Sequence, residues 1–204
     1  MSGIGKRRMR DLSNLDSLKK QLIVVLLMPG DAGMGRNDAL HLRNYIRLVD
    51  KAVYEYEMAR ADLIEEIEEK EYAAKFPEGG QRIFGFAFTD HMENCINATK
   101  RLLNIIDRIK GGTNSSLISK QIRRLTESLG KDVASVRHTI EHMDDKIHRG
   151  EIKEGKPVMI ALSKGRDKIT IADQHLDLEQ LALLLKKLHE IGVHLLDSAP
   201  KSWP

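Results

Sequence analysis

Arg137, His138, Glu141, His142 and Asp145 crowd into one short stretch, VASVRHTIEHMDDKIHR, residues 133–149. A guanidinium holds anions such as phosphate or carboxylate. An imidazole moves protons near neutral pH, and two imidazoles at i,i+4 beside a carboxylate also begin a metal site. Which chemistry applies depends on the element that carries them. At 100° per residue, Val133, Val136, Ile140, Met143 and Ile147 lie within about 80° of one another, a core-facing helical stripe. Measured from Ile140, Asp145, His138 and His142 stand at about 140°, 160° and 200°, away from that core. Arg137 sits at about 60°, on the shoulder of the stripe, with an arm that can swing to either side. The expectation is one unbroken helix ending at Gly150, with the polar cluster on a face its own core does not need.

That outward direction decides between chemistries. Metal sites in helical bundles project inward, and fewer than four ligands can be named around His138, His142 and Asp145. Neither a metal nor another cofactor is therefore expected. The plainest reading pairs Arg137 with Glu141 at i,i+4 and leaves the histidines as surface residues.

The elements that must position the cluster are helical. With 204 residues the chain is long enough for one domain with a sizeable core, and 41% apolar with 31% charged residues fits a helix-rich, soluble protein. Aromatic content of 4% is low for an all-β fold. A net charge of +3 does not by itself announce a nucleic-acid binder. Cys95 is the sole cysteine, so no intrachain disulfide or cysteine-cluster zinc site is possible, and a cytoplasmic setting is expected. The apolar run Leu22–Met28 is far too short for a membrane span, and it lacks the position and cleavage pattern of a signal peptide.

Residues 1–36 read as a basic segment (Lys6, Arg7, Arg8, Arg10), a short helix on Leu12, Leu15, Leu18, Leu22, Val25 and Leu26, and a glycine-rich connector. The connector lacks the Gly-Lys-Ser/Thr ending of a phosphate-binding loop. A helical bundle is expected over residues 37–197, with 198–204 a tail. Its first helix runs from about Asn37 to Ala74 on Leu42, Ile46, Val49, Val53, Tyr56, Leu63 and Ile67. Phe84, Phe86 and Phe88 should pack the entrance of the next, with Asp90 and Glu93 at capping-box spacing. His91 and Cys95, at i,i+4, are too few for a metal site. The cluster's own helix should begin near Asn114, with Gly130 a weak point that permits a bend. Val158–Leu162 and Lys168–Ile171 predict a β-hairpin near 157–172. Asp177 with Gln180 then caps a last helix on Leu178, Leu181, Leu184, Leu185, Leu188, Ile191 and Leu195. The fold class is thus mainly α, a bundle with a β-hairpin inserted before its last helix.

Arg137-His138-Thr139-Ile140-Glu141-His142, an Arg, four residues and a His with a polar residue directly after the Arg, resembles the Arg-x4-6-His signature of HEPN domains. These are small helical bundles of prokaryotic toxins, defence proteins and RNA-processing factors. The resemblance implies a HEPN-like bundle that dimerises through its motif helices. It further implies a metal-independent endoribonuclease site leaving 2′,3′-cyclic phosphate ends or their 3′-phosphate products. Arg137 would hold the scissile phosphate and His142 would move protons, with His138, Glu141 and Asp145 in support. RNA, a homodimer mate and an antitoxin or other protein are the implied partners, in toxin–antitoxin, phage-defence or stress biology. No membrane is implied. The chain departs from the toxin form Arg-x4-His-x-Tyr, because Asp144 stands in the Tyr position. The same resemblance also admits a non-catalytic dimeric bundle that acts as an interaction protein. A metal-binding bundle is the remaining reading.

Overall fold

The structure, a computed structural model, describes residues 9–20, 36–75, 85–109, 120–163 and 165–198. It is mainly helical, with a small antiparallel sheet before the last helix. We number the elements α1 (Arg36–Lys75), α2 (Gly85–Ile109), α3 (Lys120–Glu141), α4 (Met143–His148), β1 (Ala161–Leu162), β2 (Lys168–Ile171), β3 (Gln174–Asp177) and α5 (Leu178–Asp197). The basic residues before Met9, the helix expected beyond Lys20, the glycine-rich connector, Phe84, the Asn114 start and the tail from residue 199 lie outside the described residues.

The long first helix forms as expected because no Pro or Gly interrupts it, and Ile46, Val49, Tyr56 and Leu63 are buried along one side. It packs along α2, while α3 covers α2 and α5 closes on both α1 and α3. Tyr45 crosses the core to donate from its hydroxyl to the Leu188 carbonyl at 2.9 Å. Burial pushes that phenol well above its ordinary pKa. In α3, Gly130 introduces no break. A Cβ there would lie 2.6 Å from Cδ1 of Leu103, so the glycine serves close approach of α2 and α3.

Gly192 does the same on α5, where a Cβ would stand 2.7 Å from Cδ1 of buried Leu18. Gly192→Ala is therefore expected to forfeit the gain of about 1 kcal/mol that alanine brings to a helix and to cost stability through overpacking. In a Leu18→Ala background the same change should become stabilising. A denaturant-unfolding cycle over the four proteins measures the difference.

Several expectations change. Residues 9–18 form an irregular strap with a turn at Ser13–Asn14, and helix begins only at Lys19. The Leu12 amide is taken by Glu57 at 2.7 Å, and the Leu18 and Lys19 amides by Asp50 at 2.9 and 3.0 Å, so these donors pair with carboxylates of α1, while the Leu15 amide turns back to the Leu12 carbonyl at 2.9 Å. Met9, Leu12 and Leu18 nevertheless reach the core. Helix α2 starts at Gly85, which places Asp90 and Glu93 inside it and not at its cap, and Phe86 is 60% exposed while Phe88 is buried. The expected hairpin is a three-stranded meander, β1-β2-β3. Its first strand is only Ala161–Leu162, paired with Thr170 and Ile169, and Val158 and Met159 are exposed. Ile169, Ile171 and Leu176 turn inward against α3 and α5. The capping expectation at α5 holds, since Asp177 accepts from the amides of Glu179 and Gln180 at 2.9 and 3.0 Å.

Candidate functional site

Helix α3 buries Val133, Val136 and Thr139 against the rest of the bundle. That fixes its rotation and turns residues 137, 138, 141 and 142 outward or sideways. The expected unbroken helix to Arg149 is interrupted at His142, whose φ −112° and ψ 18° fall in the sparsely populated bridge region. The amide of His142 still reaches the His138 carbonyl at 3.2 Å, and Lys146 reaches back to His142 at 3.0 Å, so the helical hydrogen-bond path continues through the interruption. Met143 stays buried across the break, but Ile147 is 50% exposed and leaves the core stripe on which the spacing had placed it. Asp144 and Asp145 occupy the first turn of α4, where the helix dipole favours negative charge.

The structure brings all five sequence-selected residues to this junction. Arg137 donates from Nε to Oδ1 of Asn97 on α2 at 3.2 Å. Its terminal nitrogen pairs with the Glu141 carboxylate one turn on. The imidazoles of His138 and His142 lie with centroids 4.5 Å apart and planes tilted by 57°. Nδ1 of His142 stands 3.7 Å from the Asp145 carboxylate, an ion-pair separation when the ring is protonated and too long for a hydrogen bond. Both histidines are exposed. The result is a ridge with one anchored anion-binding group and two imidazoles open to an approaching molecule.

No protein-family model, curated protein or solved structure matches the chain. The chemistry of the ridge therefore has to be read from its own residues. Among the described residues no cluster of histidine, cysteine and carboxylate groups is arranged to hold a metal ion. Cys95 is fully buried, and its thiol is pushed up to about 12 by desolvation, so it is a core residue. No described helix is long and apolar enough to cross a membrane.

A second polar cluster escaped the sequence reading. Glu55, buried between α1 and α2, accepts from Lys51 Nζ at 2.7 Å and lies 2.7 Å from Nδ1 of His91. The signal was a carboxylate within the buried run of Ala52, Tyr56 and Ala59. Burial pushes the Glu55 carboxyl up, but the hydrogen bonds from His91 and Lys51 together with their charges outweigh it and hold it below its ordinary 4.5. A depressed carboxylate adds stability in full above its unfolded pKa and loses it as pH falls through the folded value. The wild-type melting-temperature advantage over Glu55→Gln should accordingly be intact near neutral pH and shrink on acidification below about pH 4.5. Thermal unfolding of the two proteins across that range checks it.

Proposed function

We propose that this protein is a HEPN-like, metal-independent endoribonuclease whose site is completed when a second copy brings its own α3–α4 junction against the first. The observation that carries the reading is the gathering of Arg137, His138 and His142 on one exposed ridge that the bundle core does not use. RNA supplies its own nucleophile. One His142 imidazole takes the proton of the 2′-hydroxyl as its oxygen bonds to phosphorus. The bond from phosphorus to the 5′-oxygen breaks, and the protonated His142 of the other copy gives that oxygen its proton. The products are a 2′,3′-cyclic phosphate and a 5′-hydroxyl. Arg137 carries the charge that builds on the phosphate oxygens, with Asn97 holding its guanidinium in place. Such an activity suits a toxin, phage-defence or stress-response protein restrained by an antitoxin or other protein partner.

One observation favours a second reading. The Arg137 guanidinium is already engaged by Glu141 and Asn97, as it would be in a non-catalytic dimeric interaction bundle. The test between them is cleavage of RNA, but not of DNA, by the purified protein in the presence of EDTA.

A further inference from the structure

The exposed face of α3 carries Lys120, Arg124, Lys131 and His138, and His142 follows at its end. Arg124, Lys131 and His138 recur every seventh residue, so each stands about 10.5 Å beyond the last on nearly the same side of the helix. Thr126, Val133 and Val136 are buried on the opposite side, so packing sets the direction in which this stripe points. Among the described residues, Lys120, Arg124 and Lys131 pair with no carboxylate. Glu127 shares their face and has a partner of its own.

The cations of α4 and the loop after it are arranged differently. Lys146 and Arg149 lie 3.7 and 3.8 Å from Glu151, and Lys153 and Lys156 share Asp173 at 4.0 and 2.9 Å. Each of these cations thus has a carboxylate within 4.0 Å inside the fold, two cations to each carboxylate. The stripe on α3 keeps its charge for a partner, and it leads directly to the ridge.

We propose that this stripe is a track for the sugar–phosphate backbone of RNA, guiding a strand along α3 from Lys120 to His142. The proposal rests on the ribonuclease reading above. It also answers a difficulty in that reading. Glu141, Asp144 and Asp145 repel a phosphate backbone at the ridge, and the three uncompensated cations upstream supply attraction. An anionic membrane fits less well, because the apolar side of α3 is spent on the bundle core and the exposed stripe holds only charged groups, histidines, Ser128 and Ser135.

The test measures binding apart from cleavage. A labelled single-stranded oligoribonucleotide is titrated by fluorescence anisotropy into His142→Ala protein, and into the same protein carrying Lys120→Glu, Arg124→Glu and Lys131→Glu. Reversal of the stripe should weaken binding at least about tenfold, and the slope of log affinity against log salt should fall in magnitude by about 2, at about 0.7 per phosphate contact. A control triple, Arg47→Glu, Lys153→Glu and Lys186→Glu, makes the same charge change on other surfaces and should leave affinity near that of the parent. Circular-dichroism melting checks every protein, and a glutamine series replaces the glutamates if the reversal unfolds. Unchanged affinity in a folded stripe variant overturns the track, and so does an equal loss in the control. Stripe-dependent binding to phosphatidylserine vesicles, with no RNA bound by the parent, overturns it as well. The two readings fail separately. Stripe-dependent binding without cleavage by the protein with His142 intact removes the ribonuclease and keeps the track, whereas undiminished cleavage with the stripe reversed does the opposite.

Discussion

His142→Ala is expected to lower RNA cleavage by about 10²–10⁴-fold, the range that one positioned proton-transfer group contributes. Arg137→Ala should lose about 10²–10³-fold by removing stabilisation of the phosphate's developing charge. Arg137→Lys separates charge from shape. It keeps the cation but loses the fork that bonds Asn97 and Glu141 together, so a bidentate role predicts only partial rescue. Both histidines and Glu141 are exposed and off the buried face of α3. His142→Ala should therefore leave the melting temperature close to wild type. Arg137→Ala removes the link to α2 at Asn97 as well, and a cost of about 1 kcal/mol is expected from that hydrogen bond. Rates measured in EDTA on monodisperse protein check these values. Unchanged cleavage by folded His142→Ala protein would sink the mechanism.

The cluster at the α3–α4 junction was legible because helical spacing alone separates a core stripe from what faces away from it. Val133, Val136 and Met143 kept their places, and so did His138 and His142. The break at His142 was not legible. Its backbone hydrogen bonds continue nearly as in an α-helix, and no Pro or Gly marks the spot, so the periodic pattern ran past it to Ile147. The strap failed for a related reason. Leucines at 12, 15 and 18 match a helix, but the amides of Leu12 and Leu18 find Glu57 and Asp50, partners that sit far along the chain. A local pattern cannot register such competition. The third strand, Gln174–Asp177, was hidden by its turn, where Ala172 takes φ 49° in place of the usual Gly or Asn. The interhelical contact between Arg137 and Asn97 likewise joins residues on two helices whose pairing no spacing reveals.

Asp50→Ala is expected to be the most damaging of the polar substitutions outside the ridge. The Asp50 carboxylate is buried on α1 and receives Ser17 Oγ at 2.7 Å, the Leu18 amide at 2.9 Å and the Lys19 amide at 3.0 Å. It thereby caps the helix that starts at Lys19 from another element, and it anchors the strap whose Met9, Leu12 and Leu18 fill the core beside α5. Alanine leaves a buried amide without an acceptor, and hydrogen bonds to a charged group are worth about 1.5–3 kcal/mol each. A loss of about 3 kcal/mol is expected after the exposed Lys19 amide and the Ser17 hydroxyl recover partners in water, a large share of a stability of about 5–15 kcal/mol. Asp50→Asn keeps one acceptor oxygen and should lose less. The site of the damage is as informative as its size. Hydrogen exchange at Leu18 and Lys19, and proteolysis within residues 9–20, should rise in Asp50→Ala well before the amides of α2 and α3 lose protection. The strap packs on α1 and α5 through Asp50, Glu57, Arg60 and His189, and none of these contacts involves the ridge. RNA cleavage below the melting transition should therefore survive the change. If protection of residues 9–20 and the denaturant midpoint both stay at wild-type values, Met9, Leu12 and Leu18 hold the strap by burial alone and the carboxylate is not its anchor.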